Sequence, residues 1–128
     1  MLIKLYHATN GSQWKIKWDL SLSVSTWYGV HAENGKVTAL NLANNNLQGE
    51  LPAEFVDLIN LVTVDLHKNN LKGELSAEIG KLNQLQVLCL SDNEIKGALP
   101  NSLYKISTLK VLLLNDNKFS GNLLLSIL

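Results

Sequence analysis

Asp65, His67, Cys89 and Asp92 are the residues of this 128-residue chain whose types could do chemistry together. A thiol, an imidazole and a carboxylate are the nucleophile, base and orienting group of cysteine-based acyl transfer. That chemistry needs the sulfur and the imidazole within hydrogen-bonding reach, beside donors for a developing oxyanion. In the strand arrangement developed below, His67 and Cys89 lie on adjacent strands offset by two positions, which places their Cα atoms roughly 7–8 Å apart. The separation is too great for a well-made hydrogen bond, and no closed cleft is implied, so no catalytic residue is assigned. Cys89 reads as an inert, semi-exposed thiol, since no Lys or Arg on the same face stands to activate it.

A second grouping, Asp65, Asp92 and Asp116, would suit a hard cation only with convergent carbonyl ligands, and the three occupy two different strand positions. No metal or cofactor is expected there. The sequence contains no G-x-S-x-G, H-E-x-x-H, G-x-x-x-x-G-K or G-x-G-x-x-G segment, so the common nucleophile-elbow, zinc-protease and phosphate-cradling chemistries have no carrier. Eleven basic and eleven acidic residues cancel. A nucleic-acid or anionic-membrane partner would favour a basic patch, so neither is expected.

The elements that must position these residues come from a repeat. Val37–Asn60 (VTALNLANNNLQGELPAEFVDLIN), Leu61–Gln84 (LVTVDLHKNNLKGELSAEIGKLNQ) and Leu85–Thr108 (LQVLCLSDNEIKGALPNSLYKIST) follow one another without insertion, and a fourth unit, 109–128, begins at Leu109. A strict period of this size marks a solenoid. In the third unit, alternation puts Leu88 and Leu90 on a buried face and Val87, Cys89 and Ser91 on the opposite one, as in a short strand. Asn93, with Asn45, Asn69 and Asn117 at the same position, ends the strand where an amide can satisfy backbone groups that no ladder reaches. Ile95 returns to the interior, and Gly97 stands where φ must be positive or a side chain would obstruct. Leu99-Pro100 imposes an extended step, and Leu103 and Ile106 suit a short helical turn with one apolar edge. One coil buries too little to hold itself in shape, so neighbours must cover its leucine layer on both sides.

This pattern, LxxLxLxxNxLxGxLPxxLxxLxx, resembles the leucine-rich repeat in its 24-residue plant-type subclass, carried by Gly49, Gly73, Gly97 and Gly121 and by Leu51-Pro52 and Leu99-Pro100. The resemblance implies an α/β solenoid: a right-handed coil with a short parallel β-sheet on the concave face and extended and 3-10 segments on the convex side. Ser76 and Leu124 replace the favoured Pro, so the second extended segment is expected to be looser in those coils.

Residues 1–36 fall outside the repeat and read as a helical N-terminal cap with a hairpin, 37–128 being the repeats. Leu2, Leu5 and Tyr6 have helical spacing, and Asn10-Gly11 reads as a helix stop. Trp14, Trp18 and Trp27 are placed to bury the first coil's open edge. Asn34-Gly35 between TWYGVHAE and KVTALNL is a strong hairpin signal, predicting a strand antiparallel to the first repeat strand. The segment Ser25–Ala32 resembles the cap that precedes plant-type repeats, with Ser25 and Ala32 at its two cysteine positions; the wording is closer to disulfide-free relatives of that cap. Asn10-Gly11-Ser12 matches a glycosylation sequon but is read as a turn. With no secretory signal and a single cysteine, the expectation leans to the cytoplasm if Met1 is the native start. No apolar run approaches the 18 or so residues of a membrane span.

Inward residues Leu112, Leu114, Phe119, Leu123 and Ile127 of the fourth unit would be covered on one side only. That predicts a fragment of a longer repeat protein, with self-association through this end or a tolerated open edge as alternatives. Function should lie on outward strand positions, which rigid coils hold as a fixed array. These are Ala39, Asn41, Ala43 and Asn44; Thr63, Asp65, His67 and Lys68; Val87, Cys89, Ser91 and Asp92; Val111, Leu113, Asn115 and Asp116. The expected function is a non-catalytic module binding a protein or peptide there, as part of a larger site, since four strands at ~4.8 Å span only about 15–20 Å. The repeat resemblance implies a receptor-kinase ectodomain or a larger soluble repeat protein as the parent. A purely structural solenoid would need a regular ladder of identical small residues, which Asn41, Asp65, Cys89 and Leu113 do not form.

Overall fold

The computed structural model describes residues 1–120. An α-helix, α1 (Leu2–Ala8), leads through a short 3-10 turn at Gly11–Gln13 and another at Val24–Thr26 to the hairpin of β1 (Val30–Glu33) and β2 (Lys36–Asn41). Asn34 and Gly35 both take positive φ, 51° and 76°, as a two-residue hairpin turn requires. From β2 onward the chain winds as a coil. The later concave strands are β4 (Thr63–Asp65), β6 (Val87–Cys89) and β8 (Val111–Leu113), and the five-stranded sheet runs in the order β1-β2-β4-β6-β8, antiparallel at its first pair and parallel thereafter.

Register follows the repeat: Ala39, Thr63, Val87 and Val111 align across the sheet, as do Leu40, Val64, Leu88 and Leu112. The second set faces inward. Leu40, Val64 and Leu88 are buried with Leu42, Leu66 and Leu90, the leucine layers expected from alternation. Leu112, Leu114 and Phe119 pack half-buried against this core. Leu123, Leu124, Ile127 and Gly121, invoked above for the fourth coil, lie outside the described residues.

Each buried asparagine ties its coil to the one before. Asn69 Oδ1 accepts from the backbone N–H groups of Asn45 (3.0 Å) and Leu47 (2.9 Å), while its amide donates to the carbonyls of Leu42 and Leu66. Asn93 and Asn117 donate in the same way one and two coils on, each accepting from one backbone N–H, that of Leu71 and of Ile95. Asn45 has no preceding coil, and it clasps Ile16 instead: Oδ1 accepts from the Ile16 N–H at 2.7 Å and Nδ2 donates to the Ile16 carbonyl at 3.1 Å. The N-terminal segment thus takes the bonds a previous coil would have made.

Over the first coil, Tyr6, Trp14, Trp18 and Trp27 form a continuous aromatic layer, with Trp18 centred 4.8 Å from both Trp14 and Trp27. All three indole N–H groups reach backbone carbonyls, those of Thr9, Tyr28 and Asp19, so full burial leaves no orphan donor. Asn10 turns at φ 60°, the helix stop read from Asn10-Gly11.

The convex side adds a feature absent from the sequence reading. The extended segments after each asparagine pair with one another: β3 (Gln48–Gly49) with β5 (Asn70–Leu71), and β7 (Lys96–Ala98) with β9 (Lys118–Ser120), while a lone bridge, Glu74 to Lys96, spans the middle. Short 3-10 turns follow at Ala53–Asp57, Ile79–Lys81 and Asn101–Lys105. The middle turn, after Ser76, is the shortest of the three, because a proline that pre-sets φ at the start of the turn is missing there.

Candidate functional site

The concave face is built by the alternate residues of β2, β4, β6 and β8. Backbone bonds that continue past each strand, Leu42 N to Asp65 O, Leu66 N to Cys89 O and Leu90 N to Leu113 O, all 2.9 Å, hold the coils at fixed spacing and turn the outward positions into an ordered array.

Eight of the residues assigned to strands lie beyond the strand ends, Ala43, His67, Ser91 and Asn115 nearer and four others farther out. Asn44, Lys68, Asp92 and Asp116 have φ of 52°, 56°, 58° and 59° and sit in left-handed turns beyond the strand ends. Asn and Asp visit that region readily and Lys does not. Strand pairing ends five residues into each coil, and beyond the turn Asn69 and its equivalents take over backbone groups of the preceding coil. Those four exposed side chains form a rim beside the sheet. His67, Ser91 and Asn115 occupy the step just before that turn. Ser91 is buried and donates to Asn115 Oδ1 at 2.7 Å, so it supports Asn115 and offers little surface of its own.

Cys89 is 8% exposed, which corrects the reading of a semi-exposed thiol. It lies between its register partners Asp65 and Leu113. His67 stands two positions beyond Asp65, the register partner of Cys89, which is the offset read from the sequence. Asp65, which is in line with Cys89, carries the interaction: Asp65 Oδ1 meets His67 Nδ1 at 2.5 Å, and one ligating atom from each of Asp65, His67 and Cys89 lies within 4.8 Å of the other two. The signal was available, because residues one period apart must face each other and 65 and 89 differ by the repeat length. Asp92 and Asp116 do not join this group. Among the described residues no hydrogen bond links Cys89 to His67; the sulfur's one partner is Ser91 Oγ at 4.0 Å.

Around this cluster the face is chemically mixed. Asn41 is exposed at one end, Thr63 and Asp65 are half-buried, and Val111 and Leu113 are 40% and 47% exposed at the other end. Polar groups able to form directional bonds therefore lead into an apolar patch that gains by being covered. No helix among the described residues is long and apolar enough to cross a membrane.

A right-handed stack of 24-residue coils with a parallel concave sheet and an asparagine ladder defines the leucine-rich repeat class. The Leucine Rich Repeat family profile matches residues 36–58, 60–82 and 84–106, more than half of the sequence, and the chain belongs to that family. No curated protein matches it. Among solved structures it is similar to the chain in the PEPR1–AtPEP1 crystal structure, with TM-score 0.82 and 28% identity over 98% of this chain and 19% of that one. The leucine-rich repeat ectodomain of the receptor kinase SOBIR1 from Arabidopsis thaliana is similar at TM-score 0.80 and 26% identity, over 95% of this chain and 67% of that one. The Arabidopsis receptor kinase HAESA, solved with the peptide hormone IDA and the co-receptor SERK1, gives TM-score 0.68 and 29% identity over 77% of this chain and 17% of that one. The chain thus spans about two thirds of the SOBIR1 ectodomain and under one fifth of the other two. These plant-type ectodomains share its coil.

Proposed function

We propose that the chain is a non-catalytic recognition module that binds a protein or peptide on its concave face, with residues 1–36 acting as a cap and 37–128 as the repeat array. The observation that carries this reading is the irregular row of outward side chains held in strict register, polar at Asn41, Thr63 and Asp65 and apolar at Val87, Val111 and Leu113. A solenoid serving only as scaffold or adsorbing surface would gain from a repeated side chain, and in the two outward rows of this face only Val87 and Val111 repeat one. An extended peptide laid across β2 to β8 meets hydrogen-bonding groups first and an apolar shelf last, with Asn44, Lys68, Asp92 and Asp116 along the rim. The small width of four strands places this face within a larger site, and the likeness to SOBIR1 and HAESA supports a receptor-like ectodomain as the parent.

The test is an affinity selection from a displayed random-peptide library on the immobilised chain, followed by titration of the selected peptides. Asp65→Arg combined with Asn115→Arg is expected to weaken their binding by at least about tenfold, as expected for side chains at an interface. Undiminished binding of every selected peptide to that double variant would falsify the concave site.

A further inference from the structure

Asp65, one of the polar residues of the concave face, also belongs to a group of donors with a second use. Asp65 and His67 stand two residues apart on one segment, and Cys89 is the register partner of Asp65 on the next strand. Their ligating atoms converge within 4.8 Å. The 2.5 Å hydrogen bond between Asp65 Oδ1 and His67 Nδ1 joins two atoms that can each ligate a metal. Cys89 is more than nine-tenths buried, with only a weak contact to Ser91 Oγ at 4.0 Å among the described residues. A nearly buried sulfur without a strong partner therefore sits beside an imidazole and a carboxylate on two strands that the ladder holds in place.

We infer that Asp65, His67 and Cys89 form a binding site for a divalent metal of borderline softness, with zinc the best match. Thiolate and imidazole ligands together favour zinc, cobalt and copper over magnesium and calcium, which want oxygen alone. Around tetrahedral zinc, with bonds of roughly 2.0–2.3 Å, neighbouring ligand atoms stand roughly 3–4 Å apart. The cluster reaches that spacing if the sulfur closes in and the Asp65–His67 contact opens by up to about an ångström, changes that side-chain rotation supplies. The ion replaces the proton held between Asp65 and His67. Three protein ligands leave the fourth position open, towards the concave side, where water or a donor from a bound partner completes the shell.

The experiment is a cobalt(II) titration of the intact, reduced, metal-free chain. A thiolate-to-cobalt charge-transfer band in the near ultraviolet is expected, with visible bands of tetrahedral intensity, saturating at one equivalent and bleached by zinc. Cys89→Ser should abolish the charge-transfer band, and His67→Ala should weaken cobalt binding at least about tenfold. Because His67 is partly exposed, His67→Ala folds and tests the site even if the buried serine in Cys89→Ser disturbs the coil. Absence of the charge-transfer band in the unmodified chain overturns the site, as does cobalt affinity left unchanged by His67→Ala, which would mark a lone thiol binding metal by itself.

Discussion

Residue by residue, the heaviest constraint falls on a small amide. Asn69 is buried, and its carbonyl oxygen serves two buried N–H groups of the preceding coil. Asn69→Ala leaves both donors without water or protein partners, at about 2–4 kcal/mol, read as a lower midpoint in urea unfolding. Among the described residues the exposed Asn70 side chain makes one bond, donated to the Asn46 side chain, and Asn70→Ala, which keeps the backbone bond to Leu47, should stay within about 0.5 kcal/mol of the parent. Lys68 shows the opposite case. At φ 56° it holds a backbone region its equivalents fill with Asn44, Asp92 and Asp116, so Lys68→Asn should stabilise the fold by about 0.5–1 kcal/mol, seen as a raised Tm. The asparagine ladder was legible because identical residues one period apart must meet; the left-handed turn beside it was not, because a lysine interrupts its Asn/Asp signature.

Elements are joined by fewer and weaker links, mostly at the surface. Lys4 of α1 donates to Glu54 in the turn Ala53–Asp57 at 3.0 Å, and this ammonium holds the Glu54 carboxyl below its ordinary value. A depressed carboxylate adds stability above the pH at which the unfolded chain ionises, and that contribution is lost as pH falls through the folded-state value. The stability difference between the parent and Glu54→Gln should therefore be present near neutral pH and vanish in acid below the ordinary Glu range, which urea unfolding at a series of pH values checks. A difference that persists undiminished in acid would show that the Lys4–Glu54 pair does not couple α1 to the first coil. The short turn Ile79–Lys81 has its own pair, Glu78 with Lys81 at 2.9 Å, and Ser76 Oγ accepts from the Glu78 N–H at 3.1 Å, a local bond standing where its neighbours have proline. Ser76 was expected to loosen the extended segment of this coil; the turn that follows it is three residues long against five in its two neighbours.

On the scale of the whole molecule, stability is passed from coil to coil, because each layer of leucines is complete only when its neighbours are folded. The aromatic layer over the first coil is the start of that chain. Trp18 is 4% exposed and touches the rings of Tyr6, Trp14 and Trp27, so Trp18→Ala should cost about 3–5 kcal/mol. The loss should be graded: hydrogen exchange at Leu40 and Leu42 should accelerate more than at Leu88 and Leu90, two coils away. Equal acceleration at both places would mean that the stack unfolds as one unit.

The sequence by itself determined the winding. A 24-residue period with leucines two apart, an asparagine at the bend and a glycine after it leaves one economical way to bury the leucines and satisfy the backbone, and the hairpin and tryptophans before it follow from turn chemistry and from the need to cover an open layer. What the tertiary structure decided was how side chains on adjacent coils meet. The pairing of the convex extended segments, the burial of Cys89 and the approach of His67 to it depend on the curvature and side-chain packing of stacked coils. Those are set by the packing of whole leucine layers, and local pattern carries no record of curvature.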